Sequence, residues 1–218
     1  MTVHDHELAS GLANDKEAPQ QGLAETLAEI ARGYPLARTE PFTGHPMLSL
    51  VRREAPAAIR AALTGFERKT YVRGSAGPSR WATIPWVAVF DGHVTRSAQR
   101  GFYVVYLWSA DGARVFLSLI VGTQAIRKAH GDEARDVLRD RAWWLRNKAA
   151  ELGHALPYAP IDLRSEKELA GDYEAGHAAG WAYEVGAMPD DAALTAQLRE
   201  ACAALFAVAD ELGLTPFA

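Results

Sequence analysis

The chain has 218 residues, 49% of them hydrophobic and 23% charged, with a formal net charge of −4. That length supports one good core, and the single cysteine, Cys202, excludes an intrachain disulfide and a Cys-rich zinc site. No apolar run approaches the roughly 20 residues that a membrane span needs, so no membrane contact is expected, and a reducing, cytoplasmic setting is the default.

Residues 1–20 are polar and acidic and read as a disordered leader rather than a signal peptide. One domain is expected over 21–218. It opens with a helix whose stripe is Leu23, Leu27 and Ile30, stopped by Gly33 and Pro35. A second helical stretch follows, from His45 to Leu63, interrupted near Pro56. The pattern then changes to strands in "YVRGS", "WATIPWVAVFD", "GFYVVYLWS" and "VFLSLIVG", separated by turn signals at Asp91-Gly92 and Asp111-Gly112. Pro85 suggests an edge or a bulge. In the third run Phe102, Val104, Tyr106 and Trp108 alternate with Tyr103, Val105 and Leu107, so they belong to opposite faces.

Helix resumes at Gln124 and stops at Gly153. Within it Trp143 and Trp144 point to different sides, so one is expected in the core and one outside. A short helix is expected over "DYEAGHAAGWAYEVG", with Tyr173, His177, Gly180 and Trp181 along one face and His177 a packing residue. A last amphipathic helix begins near Asp190 or Asp191. Helices, then antiparallel strands, then helices give an α+β fold: a curved antiparallel meander flanked by N-terminal and C-terminal helices. The sheet and pocket region is 61–122, and the helical C-terminal half is 123–212.

Charge is segregated along the chain. Residues 66–146 carry 13 Lys/Arg against 7 Asp/Glu, leaving 10 against 20 elsewhere. A basic middle between acidic ends can focus an anionic ligand onto one face; arginines on solvated helix faces would give the same count.

Between the first two strands lies the small-residue loop Gly74-Ser75-Ala76-Gly77-Pro78-Ser79, flanked by Arg73 and Arg80 and followed by Trp81 and Trp86. It lacks the lysine of a phosphate-binding P-loop, and no long helix follows it. Its order is Gly-Ser-Ala-Gly, not that of a nucleophile elbow. The seven histidines are dispersed, His93 reads as a solvated turn residue, and no metal or cofactor is expected.

The stretch from Tyr71 to Asp91, then "TRSAQRGFYVVYLWSADGARVFLSLIVGT", resembles the N-terminal DNA-recognition domain of McrB-type modification-dependent (type IV) restriction systems. The resemblance rests on Val72-Arg73-Gly74-Ser75, Trp81, Ile84-Pro85-Trp86 and Gly101 through Leu107, in that order. The segment from Ile161 to Asp191 and the closing helix are similar to that family's C-terminal half, so the likeness covers roughly residues 61–212.

The resemblance implies a reader of modified duplex DNA that flips a methylated base, of the 5-methylcytosine type, into an aromatic pocket. Carried over by position, the pocket falls on Trp86, Tyr103 and Leu107. The loop residues Ser75, Ala76, Gly77, Pro78, Ser79, Arg80 and Trp81 would meet the DNA. Pro78 stands where a large aromatic occupies the loop tip in other members; a proline can wedge a base step. Arg73, Arg96 and Arg100 would pair with phosphates. From the residues alone, Trp86, Tyr103 and Leu107 are equally good core residues.

The resemblance implies a specificity module rather than an enzyme, with catalysis supplied by a separate nuclease or GTPase effector. A small DNA-processing enzyme, or a protein-interaction module that keeps the fold without base flipping, would fit the same elements. An enzyme would need acidic and basic side chains clustered at the pocket.

Overall fold

The computed structural model describes residues 22–66 and 68–214; the leader expected over 1–20 lies outside the described residues. Helix α1 (Leu23–Ala37) buries Leu23, Leu27, Ile30 and Tyr34 on one stripe. Its free N-terminal amide at Ala24 donates to Asp191 Oδ1 at 2.6 Å, a carboxylate 167 residues away.

The second helical stretch is three pieces. α2 (Pro46–Ser49) starts with proline at its first turn. A π-helical turn over Leu50–Glu54 follows, then α3 (Ala55–Ala62). Pro56 explains the widening. It has no N–H to give to Arg52, and its ring crowds the carbonyl four residues back. The interruption expected at Pro56 therefore falls in the turn just before it.

Five strands follow: β1 (Thr70–Ser75), β2 (Trp86–Asp91), β3 (Phe102–Trp108), β4 (Arg114–Val121) and β5 (His177–Glu184). They form one sheet in the order β1-β2-β3-β4-β5, every pair antiparallel. Pro85 precedes β2, an interior strand, so it marks neither an edge nor a bulge and removes no ladder hydrogen bond.

β5 corrects the helix expected over 172–186. The α-helix (α6) covers only Glu168–Gly176, and the chain turns to strand at His177. β4 is buried almost end to end, so its outer hydrogen-bonding groups require a partner. The small run Ala178-Ala179-Gly180 allows close approach. A Cβ on Gly180 would sit 1.9 Å from the Leu117 carbonyl oxygen.

Between β4 and β5 run α4 (Thr123–His130), α5 (Ala134–Glu151) and α6. The buried Asp172 of α6 binds Arg127 of α4 through two guanidinium nitrogens, the Nε–Oδ2 contact being 2.9 Å, and Arg135 of α5 at 3.3 Å. The last helix, α7 (Asp191–Glu211), is capped by Asp190, whose side chain accepts the Ala193 N–H at 2.8 Å.

α7 has 21 residues, and its most apolar 18-residue window has a mean hydropathy of 1.3, so by length and composition it could cross a membrane, contrary to the sequence expectation. Its apolar stripe, including Leu194, Leu198, Cys202 and Leu205, instead fills the core against β2, β3 and β4. At its far end Asp210 and the buried Asp91 of β2 share the Arg68 guanidinium, at 2.6 and 2.8 Å. His93 is not simply solvated: its Nδ1 accepts from the same guanidinium.

The sheet buries both faces. Val104, Tyr106 and Trp108 enter the main core, where the Trp108 indole N–H donates to the Leu27 carbonyl at 3.0 Å. Tyr103, Val105 and Leu107 enter a smaller cluster roofed by Ile161, Leu163, Ala170 and Tyr173. That roof stops short of the β1–β2 end, and the gap is the candidate site.

Candidate nucleic-acid interface

The loop between β1 and β2 is held from inside. The Ala82 amide donates to the Ala76 carbonyl at 2.8 Å. Ser75 Oγ accepts the Gly77 N–H at 3.2 Å. Gly77 has a φ of +105°, and a Cβ there would meet the Arg80 carbonyl oxygen at 2.0 Å, so the turn requires glycine. The Tyr34 hydroxyl of α1 lies 3.3 and 3.0 Å from the Ala76 and Ala82 carbonyl oxygens. Arg52, carried by the π turn, donates to the Gly77 carbonyl at 2.5 Å. The same turn meets β1 at Gly74, where a Cβ would lie 1.8 Å from the Val51 carbonyl oxygen.

Trp81 belongs to this anchoring. Its indole N–H donates to the Glu40 carbonyl at 2.9 Å. Its ring stands edge-on to Tyr34, Phe42 and His45, with centroids 5.5, 5.0 and 5.2 Å apart. The residues left to solvent are Pro78, Ser79 and Arg80, a short exposed tip on a fixed base, whereas Ala76 and Gly77 are buried.

Beside the tip opens a cleft of about 810 Å³. Gly77 and Pro78 form one wall, Ile84 and Trp86 the floor, and Leu169 and Tyr173 of α6 the far wall. Arg52, Arg73, Gln99 and Gln124 supply the polar lining. Burial, with Asp172 adjacent, pushes the Tyr173 phenol up to about 12, so it stays a neutral hydrogen-bonding group. Each glutamine amide offers both a donor and an acceptor.

Of the three pocket residues expected from the sequence, Trp86 lines the cleft, half-buried. Leu107 is its cross-strand partner in register and is buried one layer behind. Tyr103 is buried deeper, its ring 5.1 Å from Phe90 and its hydroxyl donating to the Ala98 carbonyl at 2.9 Å. Burial raises its phenol well above the usual range. Tyr103 and Leu107 thus back the floor and fix the β2–β3 connection, while half-buried Trp86 presents the aromatic surface and the buried Tyr173 backs the far wall.

Arg73 borders the cleft from β1, Arg80 stands at the tip, and Arg100 lies in the β2–β3 connection; all three are exposed. Among the described residues none of the three forms an ion pair. Arg96 lies over the Tyr71 ring at 4.5 Å. The structure therefore brings Arg73, Ser75, Gly77, Pro78 and Trp86 to one opening. Arg52, Gln99, Gln124, Leu169 and Tyr173 join them without any signal at motif spacing.

The family model described as MrcB-like, N-terminal domain matches residues 29–208. A comparison with curated proteins gave no match. A match over most of the chain, on a fold with the loop, strand pair and helical wall described above, settles the family: the chain belongs to the MrcB-like N-terminal domain family, the DNA-binding module of McrB-type systems.

Proposed function

We propose that this domain reads modified duplex DNA by extruding a methylated base, of the 5-methylcytosine type, into the cleft between the β1–β2 loop and α6. The observation that carries the reading is the pairing of an exposed Pro78–Arg80 tip with an aromatic-walled cleft that opens directly beside it. A base inside a duplex hides its faces, and extruding it costs a few kcal/mol. Stacking on Trp86 returns roughly 1–3 kcal/mol per base. A wedge is needed to hold the gap, and Pro78 is the apolar residue at the tip. A buried methyl contributes only about 0.8 kcal/mol, so selectivity for it requires a close apolar wall such as Ile84 or Leu169.

Gln99 and Gln124 would read the edge of the extruded base, Arg73 and Arg80 would hold the flanking phosphates, and Arg100 would meet the backbone across the rim. Membership of a DNA-binding domain family supports reading the chain as a specificity module. Catalysis would then come from a separate nuclease or GTPase partner.

The test is binding of labelled duplexes, unmodified and carrying 5-methylcytosine, 5-hydroxymethylcytosine, N4-methylcytosine or N6-methyladenine, with Trp86→Ala beside the wild type. Modification-selective binding that Trp86→Ala weakens by roughly 1–3 kcal/mol, with an unchanged melting temperature, supports the reading. Equal, salt-sensitive binding of all duplexes reduces the site to a generic basic surface and removes the base-flipping claim.

A further inference from the structure

α5 turns Leu138, Ala142, Leu145 and Ala149 into the core, yet its adjacent Trp143 and Trp144 are 61% and 40% exposed. The expectation that one of them is buried is thus corrected. Side by side in the helix, the two indoles project at different angles around the buried stripe, and neither enters it.

Trp144 stands over a groove of about 230 Å³ between α5 and the β2–β3 connection. Its floor is apolar, made by Phe102, Val121, Ile126 and Leu145. Among the described residues, its only charged lining residues are Arg100 and Arg141. Neither forms an ion pair among the described residues, whereas Arg135 and Arg139 of the same helix are held by Asp172 and Asp136. The larger cavity on the other side of α5, about 500 Å³, mixes its arginines with Asp140 and Glu174 and has no such bias.

The groove adjoins the cleft across one narrow rim. The Ala125 amide donates to the Gln99 carbonyl at 2.9 Å, and the Gly122 amide to the Gly101 carbonyl at 2.7 Å. Gln99 and Gln124 line the cleft; Arg100 and Ala125, the next residues along each segment, line the groove. The rim is thin because Gly122 has no side chain: a Cβ there would lie 2.6 Å from the Arg100 backbone.

We propose that this groove is a second nucleic-acid contact, a subsite for the DNA strand that continues past the cleft. Arg100 and Arg141 pair with its phosphates, and Trp144 packs on a sugar or base above the apolar floor. The chemistry is one-signed charge beside an aromatic plane, which matches a phosphate-bearing strand. The proposal rests on the reading of the cleft as the DNA site.

The experiment compares wild type, Trp86→Ala, Arg141→Gln and Trp144→Ala on two duplexes carrying the preferred modification centrally, one of about 8 and one of about 20 base pairs, below and near two helical turns. Arg141→Gln and Trp144→Ala should each weaken binding of the long duplex about tenfold and leave the short one unchanged. The preference for modified over unmodified DNA should persist. For Arg141→Gln, the slope of log affinity against log salt should fall by about 1. Melting temperatures exclude misfolding, and Arg141→Lys, which keeps the charge, should restore the slope.

Unchanged affinity on both duplexes overturns the proposal, even where Trp86→Ala abolishes selectivity and the cleft reading stands. An equal loss on both lengths also overturns it, because the groove would then belong to the central footprint. Failure of the wild-type chain to bind either duplex overturns the cleft reading and this one with it. Loss of a protein partner with no change on DNA would mark a protein-docking surface and overturn the subsite.

Discussion

His177 shows how burial at one residue becomes a property of the whole chain. Its ring is buried, stacked under Tyr158 at 5.5 Å, with Nδ1 2.7 Å from Ser118 Oγ. Burial pulls its pKa from 6.5 down to about 4, opposed by the Ala159 carbonyl and reinforced by Arg146. Between those two values the unfolded chain binds the proton and the folded chain does not. Stability is therefore full above 6.5 and falls as the pH drops toward 4, by up to roughly 3 kcal/mol from this group. Urea unfolding at pH 7 and pH 4.5 checks it: wild type should lose more stability across that interval than His177→Gln, and equal losses would show that the imidazole is not held neutral. At the same scale, Gly77→Ala should cost roughly 1–3 kcal/mol in unfolding free energy, because the left-handed turn and the Arg80 carbonyl both exclude a Cβ. Gly77, Arg73 and Trp86 were legible in the sequence because one loop and its flanks carry them. Tyr173 was not, since nothing in "GDYEAG" records that α6 folds over a strand more than 80 residues earlier.

At the scale of elements, the sequence carried the first four strand segments and most helices, because their periods are clean. It misplaced β5, where Tyr173, His177, Gly180 and Trp181 imitate a helical stripe. The competing signal was the alternation at the end, with Tyr183 buried between the exposed Ala182 and Glu184. Only the unpaired edge of β4 decides between the two patterns, and that edge is a tertiary fact. The π turn was half legible: Pro56 announced a break, but not that the break aims Arg52 at the loop. That aim carries a prediction. Arg52→Ala removes the contact to the Gly77 carbonyl and the packing on Phe42, whose ring centre is 5.3 Å from the guanidinium carbon. A charged hydrogen bond of this kind contributes about 1.5 kcal/mol, roughly tenfold in DNA affinity if the loop must be preformed. The melting temperature should fall by only a few degrees, roughly 2–4 °C per kcal/mol lost for a chain of this size. Arg52→Lys keeps the charge without the forked geometry. It should restore the salt dependence of binding but not its selectivity, as fluorescence anisotropy on modified and unmodified duplexes would report.

For the whole molecule, a net charge of −4 and the basic side proposed to face DNA coexist because the charges are sorted by position in the fold. Arg73 and Arg80 stand at the opening and Arg100 in the groove across its rim; they come from β1, the loop and the β2–β3 connection, all inside the basic stretch of the sequence. The carboxylates of α1 and α7 ride on helices that pack on the other face of the sheet, and Asp172 of α6, behind the cleft wall, is paired with Arg127 and Arg135, so the field at the cleft is set locally rather than by the total. Each phosphate neutralised by an arginine releases condensed counterions, giving a slope of about −0.9 per contact in a plot of log affinity against log salt. Three contacts from these arginines predict a contribution near −3 to the wild-type slope on duplex DNA. Replacing all three with glutamine should make the slope shallower by about that amount while the melting temperature holds. Single replacements should each change it by about 1, on modified and unmodified duplexes alike. A triple variant that keeps the wild-type slope would mean that the DNA lies elsewhere on the surface, and the cleft would lose its claim to the base as well.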